Sequence, residues 1–438
     1  MKKKKSVAVV GLGYVGLPLA LLVKEKGFNV IGIEKSTART NLINSGSSPF
    51  IDDEITEKLK GLGLEATTDF KGVKKCDIAI ICVPTPVDAE NNPDLTPVIE
   101  AATETAKNLS KGKLIIIEST INPGVCEEVV IPIIEESSGL KCGEDFLLAH
   151  CPERINPGDE KWHVGNIPRV VGGYDKDSLE IAAAFYESII DAPIKKMSSL
   201  KEAEAVKVVE NSFRDVNIAF VNELARSFHT LGIDTVNVID GAATKPFAFM
   251  PHYPGIGVGG HCIPVDPYYL IEYAKKHGFT HHFLQTARKI NENMPEFTVE
   301  LLKDGLRKSG KSLEKAKVIL LGLAYKPEVG DLRESPALEI MKILKKNDVN
   351  FEVFDPYVKE VEDAQFISNH KEISDSHSLV EALKHADAIV IATSHKIIKN
   401  MDIKQLANTS LKLILDGRNC LDKELVKSNG IEYVGIGR

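Results

Sequence analysis

The chain has 438 residues, 43% of them hydrophobic and 26% charged, with a formal net charge of −8. That length predicts two or three soluble domains with real cores, and the acidic balance excludes a nucleic-acid-binding protein. The apolar stretch Val7–Val23 is broken by Gly11, Gly13, Gly16 and Pro18. It reads as strand–turn–helix, not as a signal or a membrane span, and no other run is long enough to cross a bilayer.

After the short basic run Lys2–Lys5, Ser6–Val10 is the first predicted strand. Gly11-Leu12-Gly13-Tyr14-Val15-Gly16 follows at once, then a helix over Leu17–Lys26 and a second strand over Val30–Ile33, ending at Glu34. In that context the glycines have separate tasks. The first makes the turn, the second admits a pyrophosphate, and the third lets helix and strand pack, with the helix N-terminus facing the phosphates. Glu34 stands where an acid holds a ribose 2′-hydroxyl and repels a 2′-phosphate. NAD is therefore expected over NADP, with Lys35 and Arg39 partly offsetting that preference.

The α/β rhythm continues with strands over Asp77–Val83, Leu114–Glu118 and Phe146–Ala149, and a helix over Thr96–Leu109. Their carboxyl ends carry Val83-Pro84-Thr85-Pro86, Ser119-Thr120 and Pro152-Glu153-Arg154, where ligands bind in such sheets. Thr120 suits a polar site group or a hydroxyl that merely satisfies backbone. Glu153 and Arg154 suit a carboxylate and an anion contact, or equally a surface ion pair. Leu200 to about Leu231 has no glycine or proline and is the longest helical candidate. Lys207 and Asn211 share one face of it. The apolar residues Ala203, Val206, Val208, Val209, Phe213 and Ile218 predict partial burial there, and a desolvated lysine serves proton transfer. A helix of that length after a dinucleotide domain is a natural hinge and dimerisation element.

Four glycines then fall in six positions, in Pro254-Gly255-Ile256-Gly257-Val258-Gly259-Gly260-His261-Cys262. Such a segment passes close to another body. Pro264 and Pro267 suit the first turn of a following helix. A thiol between such a loop and a helix N-terminus sits in a field that favours the thiolate. The alternative is a buried structural cysteine beside a tight turn. The seven cysteines are scattered without a C-x-x-C pair, which fits a reducing cytoplasm and argues against a disulfide framework or a metal centre.

A second α/β unit follows, with strands over Val318–Leu321, Phe351–Phe354, Ala388–Ala392 and Leu413–Leu415 and helices over Glu334–Lys345 and Ser378–Lys384. Its first turn, Gly322-Leu323-Ala324-Tyr325-Lys326-Pro327, is a degraded glycine pattern. Lys326, Arg333 and Arg418 all follow strands and together point to an anion site.

Those stretches, with Lys207 and Asn211, Gly259-Gly260-His261-Cys262, Asp266, the run Gly322–Pro336 and Asp416-Gly417-Arg418, resemble the UDP-glucose/GDP-mannose dehydrogenase family over essentially the whole chain. The resemblance implies an α/β fold of two Rossmann-like doubly wound domains joined by a long central helix, and a homodimer. It divides the chain into an NAD-binding domain over 1–197, a central helical dimerisation domain with the cysteine loop over 198–312, and a UDP-sugar-binding domain over 313–438. Pro152-Glu153-Arg154-Ile155-Asn156-Pro157-Gly158-Asp159 and Gly259-Gly260-His261-Cys262-Ile263-Pro264-Val265-Asp266-Pro267-Tyr268-Tyr269-Leu270 are similar to the branch that oxidises UDP-N-acetylhexosamines, UDP-N-acetylglucosamine foremost. Lys245 or His252 stands in for a loop arginine of the UDP-glucose branch. The implied chemistry is a four-electron oxidation of the sugar C6 alcohol with two NAD.

The catalytic residues would then be Cys262, Lys207, Asn211, Asp266, Glu153 and Thr120. Gly11, Gly13, Tyr14, Val15, Gly16, Glu34, Lys35, Arg39, Val83, Pro84, Thr85 and Thr120 would contact NAD. Glu153, Arg154, Lys207, Asn211, Gly259, Gly260, Cys262, Tyr325, Lys326, Arg333 and Arg418 would contact the UDP-sugar. No metal, nucleic acid or membrane is expected as a partner.

Overall fold

The structure, a computed structural model, describes residues 5–50, 52–88, 92–155, 161–358, 361 and 375–438. Lys2–Lys4 of the basic run and Asn156–Asp159 of the strand-end motif lie outside the described residues. The chain forms two compact units, one of Met1–Glu210 with Tyr268–Thr280 and the other of Asn211–Pro267 with His281–Arg438.

Among the described residues the first unit is built on eight strands: β1 (Ser6–Val10), β2 (Asn29–Ile33), β3 (Glu65–Thr67), β4 (Ile78–Ile81), β5 (Lys113–Ile117), β6 (Phe146–His150), β7 (Arg169–Gly173) and β8 (Ile194–Lys196). Their order is β3-β2-β1-β4-β5-β6-β7-β8. All pairs are parallel except β6 with β7. Both faces of a parallel sheet are covered, so its strands are apolar throughout. Val7, Val9, Ile78, Ile80, Leu114 and Ile116 enter one core, while Ala8, Val10, Ala79, Ile81, Ile115 and Ile117 enter the other. The strand order reverses between β1 and β4, and the Gly11 turn and Val83-Pro84-Thr85 leave the sheet at that switch point.

The second unit carries β9 (Lys317–Leu321), β10 (Asn350–Phe354), β11 (Ala388–Ile391), β12 (Leu413–Asp416) and β13 (Glu432–Gly435). They form one parallel sheet in the order β10-β9-β11-β12-β13. This is also a doubly wound arrangement, with its switch point between β9 and β11. Val318 and Leu320 point into one core, Ile319 and Leu321 into the other.

The long helix is Leu200–Leu231, 32 residues without a break. It contributes its part up to Glu210 to the first unit and the rest to the second. Lys207 is half-buried as expected, but Val209 and Phe213 are exposed and do not enclose it. They lie on a separate stripe, one turn apart, that continues through Val216 and Phe220. The helix after the cysteine loop is Asp266–Lys276, so Pro267 sits in its first turn. Pro264 belongs to the preceding turn, which corrects its expected place.

Candidate active site

The glycine turn of the first unit shows why each glycine is needed. Gly11 has φ +89°, and a Cβ there would lie 2.5 Å from the Cys82 carbonyl oxygen. A Cβ on Gly16 would lie 1.9 Å from the Gly11 oxygen. The protein itself thus excludes a side chain at both. A Cβ on Gly13 would meet nothing within 4 Å, so that glycine keeps space clear for a ligand. The helix Gly16–Glu25 has no side-chain N-cap; Leu17 N donates to Gly13 O at 3.2 Å and Pro18 has no N–H, so a pyrophosphate here would be met by the turn amides ahead of Leu17. Glu34 is 6% exposed. Its Oε2 accepts from Leu12 N and its Oε1 from Ser36 N, both at 3.1 Å. Tyr14 is exposed and stacks on Phe50 with ring centroids 4.4 Å apart. Val15 is half-buried, and Lys35 and Arg39 are exposed. These residues fit NAD: a glycine turn with open space at Gly13, a helix N-terminus without a side-chain cap, and an acid at the end of the second strand.

Beside this turn, Ser119 fastens two strand ends. Its hydroxyl accepts from Val83 N at 2.9 Å and donates to Val83 O at 2.8 Å. That fixes the path into Pro84 and the buried Thr85, whose carbonyl accepts from Tyr269 at 2.8 Å. Thr120, the next residue, is half-buried. Its loop is held from the long helix, where buried Glu204 accepts from Gly124 N at 2.6 Å and Cys126 N at 2.8 Å.

Glu153 is buried. Its Oε1 accepts from Arg154 N and Ile155 N, each at 2.5 Å, and its Oε2 pairs with Arg169 Nη1 at 2.7 Å. Arg169 is fully buried and also reaches Glu118 Oε2 at 3.4 Å. Tyr186 donates to the other oxygen of Glu118 at 2.5 Å. Burial pushes Glu118 up to about 7, against the pull of the Arg169 charge. Of the two carboxylates, Glu153 is the nearer to the guanidinium. Arg154 is committed differently from a loose anion contact. Its guanidinium pairs with Glu210 of the long helix and donates to Pro168 O at 2.9 Å. Glu204 and Glu210, three residues to either side of Lys207, thus anchor the loops that carry Thr120 and Glu153.

In the second unit the cysteine loop runs hard against the neighbouring turn. A Cβ on Gly259 would lie 2.7 Å from both the Glu334 oxygen and Tyr325 Cβ, and one on Gly260 would lie 2.6 Å from the Tyr325 ring. Gly260 N donates to Arg333 O at 3.0 Å. At the loop's start, a Cβ on Gly255 would lie 3.2 Å from Arg418 Nη1. The loop thus brings Gly259, Gly260 and Cys262 together with Tyr325, Arg333 and Arg418. Cys262 is exposed, and its carbonyl accepts from Asp266 N at 2.8 Å, so the two residues stand one helical turn apart. Buried Asp266 accepts from Asn211 Nδ2 at 2.5 Å.

Arg333 is held by Asp331 through Nε at 2.9 Å and Nη2 at 2.6 Å. That hydrogen bond first, with Tyr325 and Cys262 adding further negative potential, raises its pKa and keeps it cationic. The half-buried His261 is held below its usual pKa by burial first and by Arg333 second, against Asp331. Arg418 donates to Ala392 O at 2.7 Å, and Lys326 is half-buried. Reading the sequence named Glu118 and Ser119 at a strand end without giving them a role, and it missed Arg169 and Asp331. The Ser-Thr and Asp-x-Arg spacings were the available signals.

Comparison with known proteins now bears on this arrangement. The NAD-binding domain model of the UDP-glucose/GDP-mannose dehydrogenase family matches residues 5–190, its central domain 201–293 and its UDP-binding domain 319–423. A UDP-N-acetyl-D-glucosamine 6-dehydrogenase from Pseudomonas aeruginosa is 38% identical, covering 94% of this chain and 98% of that protein. A UDP-N-acetyl-D-mannosamine dehydrogenase from Pyrococcus horikoshii is 37% identical over 99% of each chain. The solved UDP-D-ManNAc dehydrogenase structure from that organism superposes with a TM-score of 0.89, at 37% identity and 99% coverage of both chains. An NDP-N-acetyl-D-galactosaminuronic acid dehydrogenase from Methanosarcina mazei Go1 gives 0.83 at 31% identity, covering 100% of this chain and 96% of that one.

Proposed function

This chain belongs to the UDP-glucose/GDP-mannose dehydrogenase family, and from that premise we propose that it oxidises the C6 alcohol of a UDP-N-acetylhexosamine to the uronic acid, UDP-N-acetylglucosamine being favoured. Gly11–Gly16, Glu34, Val83, Pro84, Thr85 and Thr120 hold NAD, with Tyr14, Val15, Lys35 and Arg39 at its margin. When bound, NAD supplies the hydride acceptor, two equivalents per sugar. Tyr325, Lys326, Arg333 and Arg418 hold the diphosphate and fix the sugar, so that remote binding energy positions C6.

Lys207 and Asn211 stabilise the oxyanions that form at C6. After the first hydride and proton leave, the Cys262 thiolate adds to the aldehyde carbon. The new C–S bond yields a thiohemiacetal, and loss of a second hydride and proton leaves a thioester. Asp266 and Thr120 orient a water for its hydrolysis, and Glu153 takes a proton from that water. The C–S bond breaks, the thiolate leaves, and the carboxylate is released. Arg169, paired with Glu153 Oε2 at 2.7 Å, holds that carboxylate in place for this role. The protein acts in the cytoplasm as a homodimer, a state supported by the exposed apolar stripe of its long helix.

The observation that supports this reading most is the packing of the cysteine loop onto Tyr325, Arg333 and Arg418, which brings a thiol to the residues suited to a diphosphate. Relatives named for N-acetylmannosamine favour a second reading in which that C2 epimer is the substrate. Assaying the protein with UDP-N-acetylglucosamine, UDP-N-acetylmannosamine, UDP-N-acetylgalactosamine and UDP-glucose separates the two. The expected result is two NADH per sugar with one of the first two. Cys262→Ala should lose carboxylate formation while still binding both ligands. Cys262→Ser should accumulate an ester, seen as an intact-mass increase near that of the sugar nucleotide. Undiminished formation of two NADH by Cys262→Ala would overturn the mechanism.

A further inference from the structure

A loop with four glycines in six positions has few side chains with which to hold itself, so its anchors decide where its last residues stand. At one end, Gly260 N is bonded to Arg333 O. At the other, Gly255 N donates to Asn222 Oδ1 at 2.9 Å. Asn222 is fully buried on the long helix, and its own Nδ2 donates to Asn291 Oδ1 at 2.9 Å. Asn291 donates in turn to Asp215 Oδ1 at 2.8 Å and to Asp215 O at 3.1 Å. Asp215 Oδ1 also accepts from Arg288 Nη1 at 2.7 Å.

The chain of amides therefore has one direction. Each carboxamide oxygen receives and each NH2 gives, ending on a buried ion pair that sets the polarity of both amides. The geometry also brings Asn291 to the loop directly, since a Cβ on Gly257 would lie 3.1 Å from its carbonyl oxygen. Asp215 and Asn222 lie two turns apart on one helix, and Arg288 and Asn291 one turn apart on another. Two rigid elements thus fix the peptide from which the glycine segment departs.

We propose that Asn222 is a positioning residue for Cys262, holding the start of the glycine loop through Gly255 N, with Asn291, Asp215 and Arg288 fixing its orientation. The proposal rests on the reading of Cys262 as the nucleophile. The lost hydrogen bond is to the loop backbone, whose start adjoins Arg418 but no residue proposed to hold NAD. Its effect therefore falls on turnover more than on NAD binding.

The test uses the full chain with NAD+ and whichever UDP-sugar the wild type oxidises. Asn222→Leu keeps the volume and removes both hydrogen bonds. It should lower kcat by about 10- to 100-fold, the scale of a misplaced reacting group, with the NAD KM within about two-fold of wild type. Asn222→Asp keeps an acceptor for Gly255 N but sets its second oxygen against Asn291 Oδ1. That meeting is favourable only while the introduced carboxyl carries a proton, and burial raises its pKa. The activity of Asn222→Asp relative to wild type should therefore be highest at low pH and fall as pH rises.

If Asn222→Leu fails to fold, the pH dependence of Asn222→Asp decides alone. Wild-type kcat in Asn222→Leu, or a pH-independent ratio for Asn222→Asp, overturns the positioning role. A wild type that makes two NADH while Cys262→Ala does the same refutes the underlying reading instead, and the two failures stay distinct.

Discussion

Glu34 holds a turn, and we propose that the same carboxylate sets the choice of cofactor. Buried, with its oxygens on Leu12 N and Ser36 N, it cannot swing away from a 2′-phosphate. Like charges so placed cost several kcal/mol, so kcat/KM for NAD+ should exceed that for NADP+ by roughly 100-fold or more. Glu34→Ala should narrow the gap. It should also lower Tm, because two amides lose their acceptor at about 1–3 kcal/mol each where they stay buried. Equal kcat/KM values for the two cofactors in the wild type would refute the assignment. His150, at the end of β6, offers a different test. Burial, against a weaker pull from the Ile117 backbone, lowers its pKa to about 3. The folded imidazole stays neutral, whereas in the unfolded chain it takes up a proton below about 6.5. The unfolded state then binds more protons, so stability falls as pH drops from about 6.5 toward 3. By pH 5 the loss from this residue is about 2 kcal/mol. Urea unfolding at pH 7 and pH 5 should show a smaller decline for His150→Leu than for wild type, and an identical decline would exclude this cause.

Among elements, the long helix divides its tasks by face. Glu204, Asp215 and Asn222 lie on one side, the first holding a loop and the others the buried amides, Glu210 holds its loop from a neighbouring side, and Val209, Phe213, Val216 and Phe220 form an opposite stripe whose members Val209, Phe213 and Phe220 are each about half exposed. Exposed apolar stripes of this kind mark association surfaces, and a second copy of the chain is the occupant the proposed homodimer requires. Phe213→Asp with Phe220→Asp should convert the dimer to monomer by light scattering while the far-ultraviolet circular dichroism stays unchanged. A wild type that is monomeric at micromolar concentration would remove the proposal. The helix itself was legible from its lack of glycine and proline. The task of each face was not, because Val209 and Phe213 look like core residues until the neighbours of the opposite face are known. Asn222 and Asn291 failed to stand out for the converse reason. Buried amides and solvated ones have the same letter, and only distant residues supply their partners. The glycine loop, by contrast, announced itself, since only a close approach explains so many residues without a Cβ.

Across the molecule, the doubly covered strands and their turns follow from features a sequence carries openly: continuous apolar runs, and glycine turns at their carboxyl ends. The short strands β3, β7 and β8 and the last strand β13 were not read. Arg169 in β7 is a fully buried cation, and Ile194–Lys196 is mostly polar, so neither has the expected pattern. The cysteine census has a practical consequence at this scale. Five of the seven thiols are buried, Cys420 is half-buried, and Cys262 is exposed. Burial raises Cys76 to about 11 and Cys142 and Cys420 to about 12, which leaves them protonated and slow toward electrophiles at neutral pH. The unmodified protein therefore carries one ready address for a fluorophore, an affinity resin or a reporter of occupancy. Oxidative damage during storage would strike first at that same atom.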